Sequence, residues 1–158
     1  MDEDTLFGYS LALVDGDLVL GDSGNTVTVN GVEQPMTTFL PVHGRENLQQ
    51  ALMLRVQTPF GSDIYNTTYG LDVREAFTQP GTLSRIKEFI KLSLVRTLAT
   101  DPRVRDIRDV LFADDPRFQA QYGQVDIDAM RHARSWPVVV LIDTVDAQTA
   151  TLSLNIGV

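Results

Sequence analysis

Cysteine is absent from all 158 residues, which excludes disulfides, thiolate zinc sites and a cysteine nucleophile, and suits synthesis in a reducing cytoplasm. No apolar run is long enough to read as a membrane-spanning helix. The first 44 residues contain no lysine or arginine. An export signal opens with positive charge before an apolar stretch, whereas this chain opens MDEDTLFGYS, so no signal is read and the mature chain is expected to start near Met1. The two histidines, His43 and His132, stand far apart without HxH or HExxH spacing. A histidine metal site is therefore not expected, and both read as surface residues. No GxSxG elbow, Walker loop or GxGxxG is present. The glycines stand in turn contexts, which sets nucleotide binding aside.

What remains is an ordinary globular composition, 43% hydrophobic and 22% charged, in a chain long enough to bury a core without disulfides or metal. The net charge of −8 is unevenly placed. Residues 1 to 44 hold seven acids (Asp2, Glu3, Asp4, Asp15, Asp17, Asp22 and Glu33), and the rest of the chain is nearly neutral. An acidic leader argues against nucleic acid, which is bound by clustered lysine and arginine. It fits either a solvated face that keeps the protein soluble or a docking surface for a basic protein.

Within that leader, Asp15-Gly16 separates two β-prone runs and Asn30-Gly31 interrupts a valine alternation. Both pairs are two-residue hairpin turns. The leader thus reads as a β-rich extension over residues 1–44, leaving a body over 45–158. In the body, Leu48, Ala51, Leu52, Arg55 and Val56 follow helical spacing until Pro59 and Gly61. A longer helix is predicted from Thr82, its N-cap, to about Thr100. Asp101-Pro102 must end it, because proline disfavours helix at the residue before. Over 104–112 both helical and strand spacing fit, and a turn passing into a strand is preferred. Residues 113–135 read as a polar insertion with a short helix near Asp128 to Arg134. WPVVVLIDTV and TATLSLNIGV form a terminal hairpin about Asp146-Ala147-Gln148. The fold class expected is α+β, with two main helices packed on a small, mostly antiparallel sheet.

Candidate chemistry is sparse. Glu46, Glu75 and Glu88 supply carboxylates for a glycoside hydrolase, which needs two at fixed separation and one with a raised pKa. Solvated helix residues are the simpler reading. Arg103, Arg105 and Arg108 alternate with Asp101, Asp106 and Asp109, a pattern that serves an interface through arginine forks or only local pairing. The alternating Leu152, Leu154 and Ile156 mark either an edge strand open to strand addition or an ordinary internal strand.

Taken in order, NLQQALMLRVQTPFGSDIYNTTYGLDVREAF, LSRIKEFIKLSLVRTLATDPRV and the terminal hairpin resemble the baseplate wedge and sheath-initiator family of contractile phage tails. That family includes baseplate subunits of type VI secretion systems and is often labelled lysozyme-like. Tyr69-Gly70-Leu71 matches its loop element, and Asp101-Pro102-Arg103 stands where the family has Glu-Pro-Arg. Aspartate keeps the charge with one methylene less reach. A second Asp-Pro-Arg at 115–117 does not follow the long helix. The resemblance implies a non-enzymatic virion protein of the tail baseplate, assembled in the host cytoplasm, without cofactor or metal. Its partners would be baseplate wedge proteins, the tail sheath protein and the tail tube or hub, with no nucleic acid and no membrane. Asp101, Pro102 and Arg103 would anchor a wedge partner, and the strand of Leu152, Leu154 and Ile156 would exchange with the first sheath ring. The alternative it carries is a peptidoglycan hydrolase of the tail.

Overall fold

A computed structural model describes residues 2–74, 76, 82–123, 126, 129, 130, 132 and 135–157. They form an α+β fold whose strand ladders are all antiparallel. The chain divides into two compact units, residues 1–51 and 52–158, which meet inside a helix, α2 (Gly44–Gln57). Residue 44, the expected end of the β-rich extension, is where that helix begins.

The first unit opens with a short helix, α1 (Glu3–Phe7), that the sequence reading does not anticipate. Three two-stranded ladders follow: β1 (Tyr9–Leu11) with β6 (Pro41–His43), β2 (Leu13–Val14) with β3 (Asp17–Leu18), and β4 (Leu20–Val29) with β5 (Val32–Phe39). Asp15-Gly16 and Asn30-Gly31 make the two tight turns, all four residues at φ between 53° and 88°. Such paired positive φ values are what the right-handed strand twist demands of a two-residue loop. The unit buries Phe7 and Leu48, and amide side chains of α2 tie its segments together. Asn47 Nδ2 donates to the Phe7 carbonyl at 2.8 Å and its Oδ1 accepts from Ser10 Oγ at 2.6 Å. Gln50 bridges the Leu13 N–H and the Leu11 carbonyl, each at 2.8 Å.

The second unit is built on a three-stranded meander, β7 (Val104–Phe112), β8 (Ser135–Thr144) and β9 (Thr149–Gly157), with β8 central. Val138, Val139 and Val140 are all buried, because a central strand covered on both faces has no solvent side. One face carries Val110, Phe112, Val138, Val140, Leu152 and Leu154, set opposite one another by the register. Beside it lies α3 (Leu83–Leu98), which buries Ile90, Ser93, Leu94, Thr97 and Leu98. Thr82 caps α3 as expected, accepting from the Arg85 N–H. Leu83, in its first turn, is 40% exposed. The other face carries Leu111 and Val139, which cluster with Ala113, Phe118 and Met130 and with Trp136 near the end of β8.

Within 113–135, Ala113, Phe118 and Met130 are buried in that second cluster. The segment holds α4 (Pro116–Tyr122), with Asp115 as N-cap and Pro116 at its first turn. The sequence reading places no helix there. Its short helix near Asp128 to Arg134 lies largely outside the described residues, and Glu75 lies outside them altogether.

Candidate functional site

The helix stop at Asp101 is a closed local structure. Asp101 Oδ1 accepts from the Arg103 backbone N–H at 3.0 Å and from Arg103 Nε at 2.9 Å, while Oδ2 accepts from Nη2 at 2.8 Å. The same three residues at 115–117 repeat this geometry, with Asp115 accepting from the Arg117 N–H at 2.9 Å and from Nη2 at 3.1 Å. Surroundings separate the two copies. The Asp101 and Arg103 side chains are 6% and 23% exposed, those of Asp115 and Arg117 27% and 63%. One begins the strand β7; the other begins the helix α4.

Around the buried copy the fold gathers residues from three other segments. Arg55, from the last turn of α2, lies over the Tyr69 ring at 4.5 Å and donates through Nη1 to Thr100 Oγ1 at 2.5 Å. Thr97 Oγ1 donates to the Gly70 carbonyl at 2.6 Å, tying the loop to α3. Gly70 has φ +108°, and a Cβ there would lie 2.6 Å from the Thr58 carbonyl oxygen. The Tyr69-Gly70-Leu71 element and Asp101-Pro102-Arg103, far apart in sequence, therefore belong to one site.

The electrostatics are those of a satisfied ion pair. Burial pushes the Asp101 carboxyl up, but hydrogen bonds from the Arg103 side chain and backbone, with the charges of Arg103 and Arg55, hold it below the ordinary carboxylate range. The Asp101 carboxylate in turn raises Arg103. Burial raises Tyr69, opposed by Arg55 and reinforced by Asp101. Pro102 is exposed beside the pair. Arg55 was legible as an anomaly, a charge among the apolar positions of a short helix, and the sequence reading gave it no role.

Leu152, Leu154 and Ile156 are 4%, 5% and 5% exposed. Their side chains are core, and what β9 shows to solvent is the alternate set Thr151, Ser153 and Asn155. Among the described residues β9 pairs only with β8, so its other edge has no strand beside it. That edge borders a groove of about 640 Å³ lined by Met53, Val56, Pro59, Phe60, Leu71 and the 153–156 stretch, among others.

The remaining candidates stay apart. Glu46 and Glu88 are exposed, one in each unit. His43 is half-exposed beside Asp4, with 3.4 Å between Nδ1 and Oδ2, and His132 is exposed. Arg108 pairs with Asp143 at 2.6 Å across the sheet. That pairing lowers the Asp143 carboxyl, as the Arg117 pairing lowers Asp115, the opposite of what a glycosidase acid requires. Among the described residues no group of three His, Asp or Glu side chains is placed to hold a metal, and no helix is long and apolar enough to cross a membrane. No protein-family model matches the chain, and no curated protein matches it.

Proposed function

We propose that this chain is a structural component of a contractile phage tail baseplate, linking wedge subunits and starting sheath assembly by strand exchange with the first sheath ring. One observation carries the reading. The two short elements on which the family resemblance rests meet in a single charged cluster at the end of α3, next to a sheet whose last strand keeps an open edge. A rigid, ion-paired junction holds a sheet in fixed orientation. An open edge offers main-chain hydrogen bonds, which do not depend on the partner's side chains.

In this role the cluster positions and β9 binds. Leu152, Leu154 and Ile156 keep the edge strand straight from beneath, and its backbone makes the contact. Arg103, 23% exposed, contacts a wedge subunit while Asp101 fixes its angle. The test is assembly of particles carrying variants of the full chain. Arg103→Ala, folded by circular dichroism, should give particles with unattached wedges, and a proline at Ser153 or Asn155 should give tails without sheath. Normal sheathed particles from both variants would refute the proposal. Release of glycan fragments from peptidoglycan by the purified chain, abolished by one Glu→Gln change, would favour the hydrolase instead.

A further inference from the structure

The ribbon β4–β5 is exposed along nearly its whole length, every residue from Asn25 to Phe39 included. A two-stranded hairpin covered on neither face is marginal in water. This one also shows an apolar side: Val27, Val29 and Val32 share a face by the register, with Met36 further along β5, each 44 to 59% exposed. Its edges are unequal. Val29 and Val32 close a two-residue turn and so exchange hydrogen bonds. By alternation the Thr28–Glu33 and Thr26–Pro35 pairs turn their main-chain groups outward. On β5 that outward row is broken by Pro35, which has no N–H. On β4 it is complete at Thr26 and Thr28. It stops at the bulge of residues 23–25, where Asp22 Oδ1 and Ser23 Oγ accept from the Gly24 and Asn25 N–H groups.

We propose that the outer edge of β4 binds a strand of a partner protein in which apolar and basic residues alternate. The apolar residues extend the Val27–Val29–Val32 face, and the basic ones lie on the opposite face, the side of Glu33. Charge selects this occupant over a second copy of the chain. Residues 20–39 carry Asp22 and Glu33, on one face by the register, and no lysine or arginine, so pairing two such ribbons edge to edge brings only like charges together, whereas a basic strand meets no cation on the ribbon itself. This inference is independent of the baseplate reading and concerns the other unit.

The experiment uses the full chain and labelled ten-residue peptides, followed by fluorescence anisotropy. A peptide alternating valine and lysine should bind at least tenfold more tightly than one alternating valine and glutamate. It should also outbind a peptide of its own composition with the lysines in one block. N-methylating alternate amides of the peptide should abolish binding without touching the protein. Thr28→Pro should do the same from the protein side. Asp22→Lys with Glu33→Lys should narrow or invert the preference between the two alternating peptides, which keeps the test decisive if the proline variant misfolds. Equal affinity for the alternating and blocked lysine peptides would overturn the proposal. So would indifference to N-methylation, or dimers in sedimentation that Thr28→Pro dissolves.

Discussion

At the scale of single residues, the two Asp-Pro-Arg copies form an internal control. Both close the same ring of hydrogen bonds, yet Asp101 sits in the protein and Asp115 at its surface. Removing one partner of a buried pair leaves the other's charge poorly solvated; an exposed pair is already screened. Asp101→Asn should therefore cost about 2 kcal/mol in urea unfolding, discounted from a fully buried pair because Arg103 is partly solvated. Asp115→Asn should leave the midpoint unchanged within error. The direction of the shift sets the pH dependence. Asp101 titrates lower folded than unfolded, so its contribution is complete above an unfolded pKa of about 4 and disappears as pH falls through the lowered folded value. The stability gap between wild type and Asp101→Asn should be flat from pH 7 to 5 and close below pH 4. A gap that widens with acid would show that another group dominates.

At the scale of elements, the same dipeptide shows what sequence makes legible. Asp-Pro ends one local structure and starts another, but the residues beyond the proline decide which one starts. After Pro102 come Val104, Ile107 and Val110, which find their register against β8; after Pro116 come Phe118, Gln119, Ala120 and Gln121, which wind into α4. Both hairpin turns, the α3 cap and the terminal hairpin were readable because each rests on local chemistry, a positive φ or a capping oxygen. The burial of Ala113, Phe118 and Met130 was not, since isolated apolar residues in a polar segment find their cluster only through the tertiary fold. Arg55 escaped for a like reason: its partner ring, Tyr69, is brought near only by the fold. The importance of α4 can be measured directly. Phe118→Ala empties space beside Trp136, the chain's only tryptophan, and should cost about 3 kcal/mol with a red shift of the emission. An unshifted spectrum would mean that Phe118 does not shield Trp136. Gly70→Ala, with its Cβ driven toward the Thr58 carbonyl, should cost about 1–3 kcal/mol.

At the scale of the whole molecule, the two units differ in what holds each of them together. The second unit holds the three-stranded sheet, buried on both faces of β8, and most of the fully enclosed apolar side chains. The first unit has few, Phe7 and Leu48 among them, with amide bridges from Asn47 and Gln50 and narrow ladders. Amide exchange reads this difference directly, since protection tracks the free energy of the opening that exposes each N–H. Val138 to Ile142 lie in the central strand and are released only when the sheet itself unfolds, so they should exchange at the global limit. The amides of residues 20–39 need only the ribbon to fray, which exposes no buried side chain, and should exchange orders of magnitude faster in the isolated chain. Adding the alternating valine–lysine peptide should slow Thr26 and Thr28, whose N–H groups point outward, and leave Val138 to Ile142 unchanged. Protection of 20–39 equal to that of β8 without any peptide would mean that the ribbon is already covered, and its edge would then have no place for a partner.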